Sequence, residues 1–178
     1  MSVILQELIE KSEYILDIGA GCGEYSAIYS EINSEASIYA FESSSIMYQL
    51  LLKNLHDNVI KNVTALNYAI GHKVAMARLQ KKDELVNVGG LYVRKIDDEE
   101  VQMITIDSLN LTHCDFIRID GVEEYILLGA HNTISKFKPA ILYKDSNSTL
   151  YLTNHGYKIS NISEGYIAIY EHILDNII

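Results

Sequence analysis

The run Ile15-Leu16-Asp17-Ile18-Gly19-Ala20-Gly21-Cys22-Gly23 constrains this chain more than any other segment. Apolar residues lead into one acidic residue and then three glycines at alternate positions. The pattern predicts a buried strand that turns sharply into a helix, with backbone exposed at the turn. Glycine lacks a Cβ, so it can adopt positive φ and let a ligand approach its amides. A second predicted strand, Ser37–Phe41, ends in Glu42. A glycine turn with an acidic residue about twenty positions later is the layout of a nucleoside-cofactor site, the carboxylate meeting the ribose hydroxyls.

The glycine spacing bears on which nucleoside. A dinucleotide fingerprint reads GxGxxG, its third glycine permitting close helix packing. Here the third glycine falls one residue early, as Gly19-x-Gly21-x-Gly23, and Glu24 follows. Negative charge at that helix start opposes a pyrophosphate. S-adenosylmethionine has no phosphate and carries an ammonium and a sulfonium, so Asp17 and Glu24 do not oppose it. A dinucleotide, and a tight turn with no ligand, are the alternatives.

At 178 residues the chain reads as one domain. Its formal charge is −10, and the densest basic spots, Lys81-Lys82 and Arg94-Lys95, form no stripe. Because phosphate neutralisation dominates duplex binding, this balance excludes nucleic acid as a partner and weighs against anionic membranes. Cys22 and Cys114 form no metal or redox pattern, and the six histidines show no ligand spacing. No metal site is expected. The absence of a long N-terminal apolar run predicts a cytoplasmic protein with no signal peptide or membrane span.

Strands and helices alternate at first. A helix is expected over residues 2–12 with Val3, Ile4, Leu8 and Leu5 inward, a strand over Tyr14–Ile18, a helix over Glu24–Ile32 and a strand over Ser37–Phe41. A helix from Ser43-Ser44-Ser45 to about Leu55 and a strand over Val63–Asn67 follow. Such alternation argues for a parallel sheet with helices on both faces. The region around 73–106 breaks the rhythm: Lys73–Gln80, Leu91–Lys95 and Gln102–Ile106 have strand character, and polar Asp83–Gly90 reads as mobile. Asp115–Ile119 restores a buried strand ending at Asp120, followed by one helix over Glu123–Phe137 and a strand over Ala140–Tyr143. A helix over Thr149–His155 and strands over Tyr157–Ser160 and Tyr166–Tyr170 close the chain.

These segments resemble the class I S-adenosylmethionine-dependent methyltransferases, and within them the FkbM family. The likeness rests on Leu16–Tyr25, Tyr39-Ala40-Phe41-Glu42, Asn67-Tyr68-Ala69-Ile70-Gly71 and Thr105-Ile106-Asp107-Ser108-Leu109. It continues through Asp115–Asp120, Leu128-Gly129-Ala130 and Lys138–Leu142. It implies a single domain over 1–178 with an α/β, Rossmann-like, doubly wound sheet of seven strands, mostly parallel with an antiparallel last strand. It also implies S-adenosylmethionine as cofactor and methyl transfer to a hydroxyl of a small molecule or sugar. Asp17, Gly19, Ala20 and Gly21 would border the methionine part, with Tyr25 beside it. Glu42 and Ser43 would hold the ribose side, and Asn67 and Tyr68 the adenine. With no sizeable cap domain, the acceptor pocket is open or completed by a second subunit in a homodimer.

Two departures lie on the acceptor side. Asp120 reaches Gly129 in roughly two residues fewer than the family uses, and two residues rotate a helix by about 200°. Lys144 stands where the family often has glutamate. Asp120 ends a buried strand and is the candidate base or orienting group, with Glu123 and Glu124 in reserve. Asp120 is also placed among the cofactor-binding residues; a helix cap, and metal binding by the acidic cluster, are its competing roles, and Asp107 reads as a cap. A catalytically silent protein that binds the cofactor is the alternative function.

Overall fold

The computed structural model describes residues 1–79, 85–88, 91–94 and 99–174. Helix α1 (Val3–Lys11) precedes strand β1 (Tyr14–Ile18); then come α2 (Glu24–Ile32), β2 (Ser37–Phe41), α3 (Ser45–Asp57) and β3 (Val63–Leu66). Among the described residues five strands follow without a helix: β4 (Ala69–Ile70), β5 (Ala75–Leu79), β6 (Leu85–Val88), β7 (Leu91–Arg94) and β8 (Glu99–Ile104). After a single helical turn at Asp107–Leu109, the chain forms β9 (Phe116–Ile119), α4 (Glu123–Leu128), α5 (His131–Phe137) and β10 (Ala140–Tyr143). It ends with α6 (Ser148–Asn154), β11 (Tyr157–Ile162), β12 (Gly165–Tyr170) and α7 (Glu171–Leu174).

The main sheet has seven strands in the order β11-β12-β10-β9-β1-β2-β3. β12 runs opposite to the other six strands, antiparallel to both β10 and β11, so the expected doubly wound architecture is present. Side chains alternate across such a sheet. Ile15 and Phe116 join one core with Leu5, Ile9 and Tyr29 of α1 and α2. Leu16, Ile18, Ile117 and Ile119 join a second core with Ile126, Ile134 and Leu152 of α4, α5 and α6. The strand order places the carboxyl ends of β1, β2, β9 and β10 side by side, and ligands bind at that edge in sheets of this kind.

Between β3 and β9, strands β4, β8 and β5 form a separate three-stranded sheet, and β6 pairs with β7. The expectation of a mobile Asp83–Gly90 falls in part outside the described residues, as do Lys81, Lys82 and Lys95.

Two helices differ from expectation. In α1 the inward residues are Leu5, Leu8 and Ile9, while Val3 is exposed, because docking on the sheet selects the face. The single helix expected over Glu123–Phe137 is broken between Leu128 and His131. At that break a Cβ on Gly129 would collide with the Gly71 carbonyl oxygen, and the Gly129 carbonyl accepts from the Asp107 amide. Asp107 then caps the second helix, accepting from the Asn132 and Thr133 amides and the Thr133 hydroxyl at 2.8–2.9 Å.

Candidate functional site

The glycine turn is shaped from three sides. The Gly19 and Ala20 amides both donate to the Phe41 carbonyl at 2.9 Å, which ties the turn to the end of β2. Gly19, Gly21 and Gly23 have φ of 74°, 60° and 88°, a region costly for residues with a Cβ. The glycines differ in what surrounds them. A Cβ on Gly19 would strike the Asp120 carbonyl oxygen, so packing at the end of β9 demands glycine there. A Cβ on Gly21 would meet only the Met47 methyl at 3.8 Å, so the protein leaves that space open.

Glu42 sits at the end of β2 and is 8% exposed. Its Oε2 accepts the Gly21 amide and its Oε1 the Ser44 amide, both at 2.8 Å. A carboxylate offers about four acceptor positions, so roughly two remain for another ligand. Asn67 Nδ2 donates to the Glu42 and Ser43 carbonyls at 2.8 and 3.2 Å, holding the loop after β2 against the end of β3. Glycine turn, Glu42, Ser43 and Asn67 therefore lie together. Tyr68 packs on the core side of the same edge. Ala20 turns its methyl into a small core with Leu51 and Leu55.

Behind the turn lies a charge network that reading the sequence missed. Asp17 is fully buried and accepts the Ser26 hydroxyl at 2.5 Å and Arg118 Nη1 at 2.7 Å. Arg118 Nη2 donates to Asp120 Oδ2 at 2.6 Å, and the guanidinium lies 4.1 Å from the Tyr25 ring centroid. Burial opposes the Arg118 charge, but Asp17 and then Asp120 outweigh it and hold the guanidinium above its ordinary value. Asp17 and Arg118 are direct register partners on β1 and β9. Each is the lone charge in an apolar strand, and a buried charge must be paired; that was the available signal.

At the end of β9, Asp120 Oδ2 also receives Lys144 Nζ at 2.8 Å, from just beyond β10. Glu123 is buried, and its Oε1 accepts the Lys144 and Asp145 amides at 3.3 Å. Glu124 is exposed. The three acidic candidates thus face different partners. Among the described residues no group of three or more histidine, cysteine or acidic side chains could hold a metal ion.

Fold and cleft together define the class I methyltransferase fold. An FkbM methyltransferase from Methylobacillus flagellatus KT superposes with a TM-score of 0.64 at 22% identity, over 89% of this chain and 44% of that one. This chain therefore spans less than half the length of that relative. A SAM-dependent methyltransferase from Aquifex aeolicus gives 0.53 at 18% identity, over 93% of this chain and 87% of that one. A candidate caffeoyl-CoA O-methyltransferase from Staphylococcus aureus gives 0.59 at 15% identity, over 94% of this chain and 81% of that one. No protein-family model matches the sequence, and no curated protein does.

The expected partners need correction. A small-molecule or sugar acceptor with nucleic acid excluded does not stand, because similar structures include an rRNA methylase from Streptococcus thermophilus and a candidate tRNA methyltransferase from Streptococcus pneumoniae. The exclusion rested on a formal charge of −10, which averages the whole surface. Binding depends on local potential, and the fold itself serves RNA as well as other acceptors. Among the described residues no helix is long and apolar enough to cross a membrane.

Proposed function

We propose that this chain is an S-adenosylmethionine-dependent methyltransferase of the FkbM type that methylates an acceptor hydroxyl. One observation carries the reading: a nearly buried carboxylate, Glu42, fixed against a positive-φ glycine turn whose open side the protein leaves unfilled. Gly19 and Gly21 fit the methionine part, Glu42 and Ser43 the ribose, and Asn67 and Tyr68 the adenine side. When bound, S-adenosylmethionine supplies an electrophilic methyl group on a sulfonium. The chain's own task is then alignment of acceptor with donor. Asp120 stands at the acceptor side of the cleft, where it orients the hydroxyl or takes its proton, with Glu123 and Glu124 beside it. The likeness to FkbM and caffeoyl-CoA enzymes supports an oxygen acceptor.

A second reading, a silent cofactor-binding protein, is favoured by Asp120 itself. Its Oδ2 already serves two cations. A methyl-release assay over hydroxylated compounds and RNA separates the two, since the silent protein releases none.

Calorimetry with S-adenosylhomocysteine tests the cofactor assignment. Glu42→Gln keeps the shape and removes the charge. Losing a charged hydrogen bond costs about 1.5–3 kcal/mol, or roughly ten- to a hundredfold in affinity. Unchanged affinity in a folded variant removes Glu42 from the site.

A further inference from the structure

We infer that Glu99, at the start of β8, is a positioning residue that holds the ribose loop for ligand through α3; this deepens the cofactor reading and rests on it. The inserted strands lie far from the cleft in sequence, yet Glu99 Oε1 accepts the Ser45 amide at 2.7 Å. Ser45 is the first residue of α3, a helix of 13 residues. That helix has no acidic residue in its first turn and no side-chain bond from its cap residue, Ser44. Its N-terminal amides need partners, and a carboxylate there also meets the positive end of the helix dipole. Glu99 supplies that partner from another sheet.

The position matters because of what adjoins it. The preceding amide, Ser44, donates to Glu42 Oε1, and the loop carbonyls of Glu42 and Ser43 accept from Asn67. Asn67, Glu42 and Glu99 thus brace Ser43, Ser44 and Ser45 in turn, across the junction from the loop into α3. Asn67 ties the loop to the main sheet, and Glu99 ties it to the three-stranded sheet of β4, β8 and β5. Without Glu99 the first turn of α3 frays, and Glu42 is less often aimed at the ribose. Apparent affinity falls with the fraction of molecules in the competent arrangement, so a competent fraction of about 0.1–0.3 weakens binding about three- to tenfold.

A merely structural cap would act on every ligand alike. The test is therefore a ratio: the affinity of the full chain for S-adenosylhomocysteine against that for its 2′-deoxy form, by calorimetry. The wild-type chain should prefer the ribose form. In Glu99→Ala the S-adenosylhomocysteine affinity should fall about three- to tenfold while the 2′-deoxy form changes little, narrowing the ratio. Glu99→Gln, which keeps a neutral acceptor, should fall between, and it carries the same comparison if the alanine variant does not fold. Equal weakening of both ligands, or no change in either, overturns the role of Glu99 while leaving the cofactor reading intact. Failure of the wild-type chain to bind S-adenosylhomocysteine at all overturns both.

Discussion

Arg118→Met should destabilise this protein by about 3–5 kcal/mol, the usual effect of removing one partner from a buried ion pair. The guanidinium bridges Asp17 and Asp120, whose side chains are 0% and 36% exposed. Without it Asp120 keeps Lys144 and water. Among the described residues Asp17 then keeps the Ser26 hydroxyl on Oδ2, while its Oδ1 loses the Arg118 guanidinium. Asp17→Asn should cost less, about 1.5–3 kcal/mol for a lost charged hydrogen bond. The amide preserves volume, and Arg118 retains Asp120 and the Tyr25 ring. The double variant leaves no buried carboxylate behind, so it should be more stable than Arg118→Met alone. Urea unfolding read by circular dichroism, with the slope held constant, gives all three values. For a domain of this size a loss of 3–5 kcal/mol lowers Tm by roughly 6–20 °C. If Asp17→Asn costs as much as Arg118→Met, or if the two losses simply add, the network is not the coupled unit described above.

Gly19→Ala should fail to fold or melt far below wild type, because its Cβ collides with the Asp120 carbonyl; Gly21→Ala should fold with a loss of about 1–2 kcal/mol from its left-handed φ alone, and comparable melting of the two refutes the distinction. Cys22 is partly exposed in the glycine turn, whereas burial, with Asp115 adding to it, pushes the Cys114 thiol far above its usual range. A thiol reagent should therefore modify Cys22 and spare Cys114 in the native protein, with S-adenosylhomocysteine protecting Cys22; labelling of both without unfolding contradicts this.

The glycine turn, the flanking strands and Glu42 were legible because they are local. Chirality and sterics force glycine at positive φ, and apolar runs mark the central strands. The break at Gly129 was not legible, because it depends on the Gly71 carbonyl, which only the folded chain brings close. The periodicity of 123–137 continues through it and reads as one helix. Arg118 and Asp17 were visible as isolated charges in buried strands, but their partnership needs the β1–β9 register. Glu99 gave no signal at all, since capping from another sheet leaves no mark in the sequence of either element. Local chemistry was readable, and long-range bracing was not.

Asp120 carries several roles, and this governs how its chemistry can be tested. Its carbonyl abuts Gly19, and its carboxylate joins Arg118 to Lys144. Asp120→Asn therefore disturbs the buried network as well as any proton transfer, and lost turnover would not identify a base. Lys144→Met is the cleaner perturbation. The Lys144 side chain is 54% exposed, so loss of its ion pair should change stability by less than about 1 kcal/mol. Asp120 keeps Arg118, so the interior is untouched. Lys144→Met frees Asp120 Oδ2 of one of the two cations it now serves. If the Asp120 carboxylate accepts the acceptor's proton, methyl transfer to a hydroxyl acceptor should be maintained or raised, because one competitor for Oδ2 is gone. Turnover lost in a folded Lys144→Met variant would refute this reasoning and would mean that the lysine, rather than a freed Asp120 carboxylate, serves the acceptor.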